Sequence, residues 1–298
     1  MENQKKAYLF ALAAVLLWST VASAFKLSLR TLQPVELLLY ASVVSTMVLG
    51  AVLAARGQLR EAFAGGWRTI RPSLLFGFLN PFLYYLVLFQ AYDLLPAQEA
   101  QPLNYTWAIT LTILSIPLLG QHISRREIAA IFVSYLGVVV ISTQGHLLHL
   151  HFANPFGVAL ALGSTVIWAL YWIYNSRDLR DPVAGLFLNF LCGLPFILVY
   201  ALATGALHRP AVSGLLGAAY VGIFEMGITY VLWLRALKLS VNTAKVGNLI
   251  FLSPFLSLVF IHFLVGERIL PSTYFGLALI VAGLVLQRLR RRPRTAAS

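Results

Sequence analysis

The chain has 298 residues, of which 59% are apolar and only 11% are charged, whereas soluble domains average about 25% charged residues. A soluble fold cannot bury so much apolar surface, so the composition predicts an integral membrane protein. The net charge of +12 lies in short gaps between apolar runs, which is typical of membrane topology and argues against nucleic-acid binding.

Apolar runs of about 20 residues, the length that crosses a bilayer, occur ten times along the chain. The first run follows Lys5 and Lys6 and resembles a cleavable signal peptide, but nine further runs follow, so we predict a first span instead of a leader. The predicted fold class is therefore all-α integral membrane with ten transmembrane helices. The runs lie at about 7–27, 34–55, 72–92, 98–119, 127–144, 155–175, 183–204, 212–234, 243–265 and 272–288.

The distribution of basic residues predicts the orientation. Ten spans place both termini on one side, and an inside N-terminus puts eighteen of the Lys and Arg residues inside. Only Lys26, Arg30, Arg209 and Arg268 then lie outside. Because basic loop residues favour the cytoplasmic side, we predict that both termini are cytoplasmic.

Four short motifs of the first half recur in the same order in the second half. "ALAAVLLWS" ends at Ser19 and "ALGSTVIWA" at Ala169, and "YYLVLFQA" from Tyr84 matches "TYVLWLRA" from Thr229. "PLLGQHI" likewise matches "FLVGERI", and "YLGVVVI" matches "VAGLVLQ". We therefore predict two five-helix repeats.

The predicted repeats are residues 1–147 and 148–298. Because five is odd, the second repeat enters the membrane from the opposite side, so the repeats are inverted. A substrate site is then expected near the membrane midplane where the repeats meet. This arrangement favours alternating access over a fixed pore or a receptor.

Several motifs also carry a family resemblance. The two five-helix repeats, each with a tryptophan in its first helix (Trp18 and Trp168), and "VGERI" at 265–269 resemble EamA-type members of the drug/metabolite transporter superfamily. "LLWST", "NYTW" with "LTIL", and "GQ" resemble in particular the bacterial exporters of aromatic amino acids in that family. The chain departs from them where Ala108 follows Trp107 in place of proline. The resemblance implies export of aromatic and other neutral amino acids across a bacterial inner (plasma) membrane.

Glu225 lies near the middle of the apolar stretch 218–236, with no opposite charge within nine residues. A charge there costs roughly 2.5–3.5 kcal/mol, so we expect it to face the bundle interior. Gly222 and Thr229 are predicted to share its helical face, where Gly222 leaves space and Thr229 offers a hydroxyl. Glu225 is interpreted as a partner for a substrate ammonium group or as a proton carrier, the alternative being a hydrogen-bonded structural carboxyl. Asn80 is its counterpart in the first repeat.

Amides and aromatic residues in further spans complete the predicted substrate site. Amides can address a carboxylate or an amine, and rings can contact an apolar side chain. The alternative is that an amide only joins two helices. The predicted substrate-binding residues are Trp18, Ser19, Asn80, Tyr84, Gln101, Asn104, Tyr105, Trp107, Trp168, Tyr171, Asn175, Glu225 and Asn248.

The residues by themselves favour a carrier for a small amphipathic solute, and the resemblance adds amino acids and export. The alternative is a multidrug or organic-cation exporter of the same fold, because a carboxylate among aromatic rings suits a cation. No HExxH, GxSxG or GxxxxGK[ST] motif occurs, so we predict no enzyme and no ATP-driven transport by this chain.

Beyond the substrate, the bilayer is the one partner that the sequence predicts. His146, His149 and His151 have no Cys or acid beside them, so we predict no metal site, and no cofactor is expected. Nucleic acid is not an expected partner, and the sequence indicates no particular oligomeric state.

Overall fold

The computed structural model describes residues 2–120, 124–146, 154–240 and 246–288, with the side chains of Glu2, Asn248 and Arg288 left out. Within these ranges the regular secondary structure is helical, and we number its long segments in chain order. They are α1 (Glu2–Ser28), α2 (Pro34–Ala55), α3 (Trp67–Leu94), α4 (Ala97–Leu119), α5 (Arg125–Ser142), α6 (Pro155–Asn175), α7 (Pro182–Ala203), α8 (Val212–Leu239), α9 (Leu249–Val265) and α10 (Pro271–Arg288).

In the described part of the chain, seven helices, α1 to α4 and α6 to α8, are long and apolar enough to cross a membrane. The other three fall short for identifiable reasons. α5 begins with Arg125, Arg126 and Glu127, and the apolar parts of α9 and α10 are shorter. The predicted all-helical membrane fold is therefore confirmed at the level of helix content and spanning segments.

Several helices begin where the sequence supplies a cap. Pro34, Pro155 and Pro182 occupy the first turns of α2, α6 and α7. The fixed φ of proline suits this position, and its missing N–H needs no partner there. Asn154 and Asp181 accept first-turn N–H groups of α6 and α7 through their side chains. These caps keep the neighbouring connections short.

Wide turns interrupt α3 and α8 inside the bundle. In α3, the wide turn Phe78–Leu83 contains Asn80 at φ −147° and ψ 114°, directly before Pro81. Proline lacks an N–H and disfavours helical geometry in the residue before it, which explains the break. In α8, the wide turn Val221–Glu225 is followed by Gly227 outside the helical region.

The first helix of each half of the chain packs against helices of the other half. α1 packs on α8 and α9, which we call the α1 group, and α6 packs on α3 and α4, which we call the α6 group. α2 and α7 contact each other and join the two groups, α2 through α8 and α7 through α3. α5 and α10 form a separate pair. Their backbones approach so closely that a Cβ added at Gly137 would lie 2.4 Å from the Gly276 carbonyl oxygen.

Candidate functional site

A hydrogen bond between Glu225 and Tyr85 joins the two groups of helices. The Tyr85 hydroxyl donates to Glu225 Oε1 over 3.1 Å, and the Tyr85 side chain is fully buried. A carboxylate at the break in α8 therefore meets a phenol from α3, and Glu225 stays partly exposed.

The prediction that Gly222 and Thr229 flank Glu225 on one helical face is wrong. A Cβ on Gly222 would lie 2.5 Å from the Ala41 carbonyl oxygen, so this glycine lets α2 approach and leaves no space beside the carboxylate. The Thr229 hydroxyl donates to the Phe224 carbonyl oxygen and is not offered to Glu225. The physical reason is the break in α8, because the i+4 relation holds only in a continuous helix.

An aromatic stack lies next to this carboxylate. Tyr84 stacks on Trp168 with ring centroids 4.4 Å apart and planes at 27°, and Trp168 stacks on Tyr171 at 5.5 Å and 24°. The Tyr84 hydroxyl donates to Asn104 Oδ1 over 3.4 Å, and Asn104 Nδ2 donates to Ser164 Oγ over 3.1 Å. Side chains from α3, α4 and α6 thus form one connected set.

A second set of contacts ties α1 to the same region. The Trp18 ring meets the Tyr230 ring edge to face, with centroids 5.6 Å apart. Ser19 Oγ lies 3.2 Å from Ser253 Oγ. The predicted residues Trp18 and Ser19 therefore border the region between the two groups, and the predicted residue Tyr105 ends the first segment of α4.

Two buried amides keep a free acceptor. Asn80 is 1% exposed and Gln101 is 4% exposed, and neither Asn80 Oδ1 nor Gln101 Oε1 has a hydrogen-bond partner among the described residues. A buried polar atom without a partner is costly, so both oxygens are suited to accept a hydrogen bond from water or a ligand.

The remaining predicted residues stand apart from these contacts. α4 consists of two segments, Ala97–Tyr105 and Trp107–Leu119, and Trp107 begins the second one and packs against the hydrophobic core. Asn175 is the last residue of α6, about 10 Å beyond Trp168 along the helix axis at 1.5 Å per residue. The side chain of Asn248, like His149 and His151, lies outside the described residues.

The predicted substrate-binding residues omit four contributors to the site, namely Tyr230, Tyr85, Ser164 and Ser253. The repeat alignment held a signal for the first, because "YYLVLFQA" and "TYVLWLRA" place Tyr230 opposite Tyr85. The two serines gave none, since their role depends on which helix each one faces. We call Glu225, Tyr85, Tyr84, Asn104 and Trp168 the central cluster.

A polar chain runs from the α6–α7 loop to the aromatic stack. Arg180 pairs with Asp178, with Nη2 2.6 Å from Oδ2, and its Nη1 donates to Ser73 Oγ over 2.7 Å. Ser73 donates to Asn189 Oδ1 over 2.8 Å, and Asn189 Nδ2 donates to the Tyr171 hydroxyl over 3.4 Å. Burial alone would raise the pKa of Asp178, but the hydrogen bonds and charge of Arg180 outweigh it and hold that pKa below its ordinary value.

Comparison with known proteins places these features in a family context. The sequence model of the EamA-like transporter family matches residues 5–143 and 155–288. The chain is 27% identical to the aromatic amino acid exporter YddG of Ancylobacter novellus, over 97% of this chain and 99% of that protein. It is 25% identical to an uncharacterized transporter of Archaeoglobus fulgidus, over 95% of this chain and 97% of that protein. A solved crystal structure, also 25% identical, superimposes with a TM-score of 0.67 and covers 95% of this chain and 97% of its own.

Proposed function

The chain belongs to the EamA-like transporter family and is a multi-pass membrane transporter, and we propose that it exports aromatic and other neutral amino acids across a bacterial inner membrane. One observation carries this proposal. The bond between Glu225 and Tyr85 holds a carboxylate beside stacked aromatic rings at the boundary between the two groups of helices. The name of the relative YddG supports the substrate class and the direction.

The central cluster, together with Gln101, Trp18 and Tyr230, offers a partner for each part of an amino acid. Glu225 suits the ammonium group, and the free oxygen of Gln101 is a further acceptor for it. The amide of Asn104 can donate to the carboxylate. Trp18 and Tyr230 supply ring surface for an apolar side chain, as is usual in small-molecule sites.

The proposed architecture is ten transmembrane helices in two inverted five-helix repeats, residues 1–147 and 148–298. It is supported by two separate matches to the family model and by a break in the third helix of each half. It is also supported by Gly120 and Gly266, which end α4 and α9 at φ 63° and 82°. The distribution of basic residues supports cytoplasmic termini.

The proposed mechanism is alternating access by movement of the α1 group against the α6 group. The bond from Tyr85 to Glu225 crosses this boundary. A substrate ammonium group that binds Glu225 competes with the Tyr85 hydroxyl and so changes a contact that joins the groups. A ligand shifts a conformational equilibrium only through such a difference in contacts between the two states.

Flux from reconstituted liposomes tests the proposal. Vesicles loaded with labelled phenylalanine, tryptophan or leucine are expected to show saturable efflux. Glu225→Gln is expected to raise the half-saturating concentration by about tenfold or more, because a charged partner is lost. Glu61→Gln, a change at an exposed carboxylate outside the site, should leave efflux unchanged. Dependence on an imposed pH gradient tests a proton-carrying role for Glu225, and absence of efflux for every amino acid contradicts the proposal.

The second candidate, an organic-cation exporter, is favoured by the composition of the central cluster. Its described side chains combine one carboxylate with three aromatic rings and contain no basic group, which suits a cation. Saturable efflux of tetraphenylphosphonium without efflux of amino acids would select this candidate.

A further inference from the structure

The segment after α9 turns back and caps α4. Gly266 ends α9 at φ 82°, a left-handed conformation that glycine adopts without steric cost. The next residue, Glu267, accepts the Ala97 N–H at Oε1 over 2.7 Å and the Gln98 N–H at Oε2 over 3.0 Å. The first N–H groups of a helix lack helical partners and favour a negative charge. A carboxylate from the end of α9 thus supplies the cap of α4.

Gln98 makes the reciprocal contact. Its side chain is 6% exposed, and its Nε2 donates to the Arg268 carbonyl oxygen over 3.0 Å. Its Oε1 accepts from the Leu270 N–H over 2.9 Å and from the Thr273 hydroxyl over 3.1 Å. Because Leu270 directly precedes α10, Gln98 caps α10 while the 266–270 segment caps α4.

Lys26 adds a third tie at the same end of the bundle. It lies in the last turn of α1, and its Nζ donates to the carbonyl oxygens of Tyr92 and Leu95 over 2.7 and 2.8 Å. These carbonyls stand at the C-terminal end of α3, where a helix favours a positive charge. The contact joins α1 to α3, and hence the α1 group to the α6 group.

We propose that Glu267, Gln98 and Lys26 form an outer latch, which closes the exit side of the transporter while substrate enters from the cytoplasm. The inference rests on the proposed alternating access and on the orientation that the basic residues favour. At this end the first segment of α4 (Ala97–Tyr105) contacts α1 and α9 as well as α6, whereas its second segment (Trp107–Leu119) packs mainly on α6. The latch therefore spans the boundary that must open for release.

The latch residues lie where their hydrogen bonds can break and form again. Glu267 and Lys26 are only half-buried and lie at helix ends, so water can replace their partners when the groups separate. Hydrogen bonds that exchange with water contribute modestly to stability, unlike bonds whose loss leaves a buried orphan. The latch can thus hold the outer side closed and still release it during transport.

Accessibility of a cysteine beneath the latch provides the test. Ser23 precedes Lys26 by three residues on the same face of α1 and is 1% exposed. We would place Ser23→Cys in a Cys192→Ala background, which removes the native thiol, and add a membrane-impermeant maleimide to right-side-out vesicles. Glu267→Ala is expected to speed labelling by about tenfold or more, because two hydrogen bonds to a charged group are lost.

Further variants sharpen the result. Gln98→Ala should also speed labelling, and Glu267→Gln, which keeps one acceptor, should give an intermediate rate. Arg209→Gln is the control, because it removes an exposed charge from the α7–α8 loop, on the same predicted side, and Arg209 is no part of the latch. If Glu267→Ala does not fold, Gln98→Ala and Glu267→Gln carry the test.

Every result of the labelling and efflux measurements tests either the outer latch or amino-acid export. Equal labelling in Glu267→Ala, Gln98→Ala and the Arg209→Gln control overturns the latch, and so does a rise confined to inside-out vesicles. Amino-acid efflux measured in parallel separates the two proposals. Efflux with unchanged labelling removes the latch alone, whereas faster labelling without efflux in any vesicle removes amino-acid export and leaves the latch.

Discussion

The bond between Tyr85 and Glu225 can be tested by a double-mutant cycle. Tyr85→Phe removes the donor, Glu225→Leu removes the acceptor, and the double variant isolates their coupling energy. Hydrogen bonds to charged groups contribute about 1.5–3 kcal/mol, whereas those within membranes average about 0.6 and reach about 1.7 kcal/mol. The distance of 3.1 Å is long for a hydroxyl donor, but Tyr85 is fully buried. We therefore expect a coupling energy of about 1–1.5 kcal/mol.

Reversible unfolding in detergent micelles with an increasing fraction of SDS measures the four stabilities. A control cycle pairs Tyr85→Phe with Ser134→Ala, because Ser134 bonds the Ile280 carbonyl oxygen between α5 and α10 and shares no partner with Tyr85. The control cycle should be additive within about 0.5 kcal/mol. A coupling between Tyr85 and Glu225 no larger than the control would refute the bond and, with it, the central cluster.

Three further changes are expected to alter stability in the same assay. Gly137→Leu should destabilise by about 1–3 kcal/mol by overpacking α5 against α10, whereas Gly163→Ala, which meets open space, should not. The pKa of Asp178 in the folded protein lies below its ordinary value, so its carboxylate contributes fully to the free energy of unfolding above about pH 4. This contribution is lost on further acidification, so Asp178→Asn should flatten the decrease in stability at acid pH. Asn189→Leu should cost about 1–3 kcal/mol and raise the half-saturating substrate concentration, because the buried Ser73 and Tyr171 hydroxyls lose a partner.

The bounds of a helix were predictable from the sequence where the thickness of the bilayer sets its length and a proline marks its start. The predicted runs 34–55 and 155–175 coincide with α2 and α6, because each begins at a proline and has the length that crosses a membrane. Parts of the site were predictable for a related reason. A carboxylate or amide such as Glu225 or Asn104 in an apolar span avoids lipid, so it faces the interior, where it meets other polar groups.

The details that failed depend on departures from a regular helix. Periodicity assumes 3.6 residues per turn, and the wide turn Val221–Glu225 removes that relation, so Gly222 and Thr229 do not flank the carboxylate. Glu267 was recognised only as part of a family motif. Its partners lie 170 and 169 residues away in the chain, and only the packed structure brings them together.

The exchange of α1 and α6 between the halves has a consequence for biogenesis. α1 leaves the ribosome first, but α8, on which it packs, begins only at Val212. At about 5–20 residues per second, α1 waits about 10–40 s for this neighbour. During that interval the newly inserted first helix has only lipid or the insertion machinery around the face that α8 later covers. Neither half, synthesised alone, can complete its own bundle.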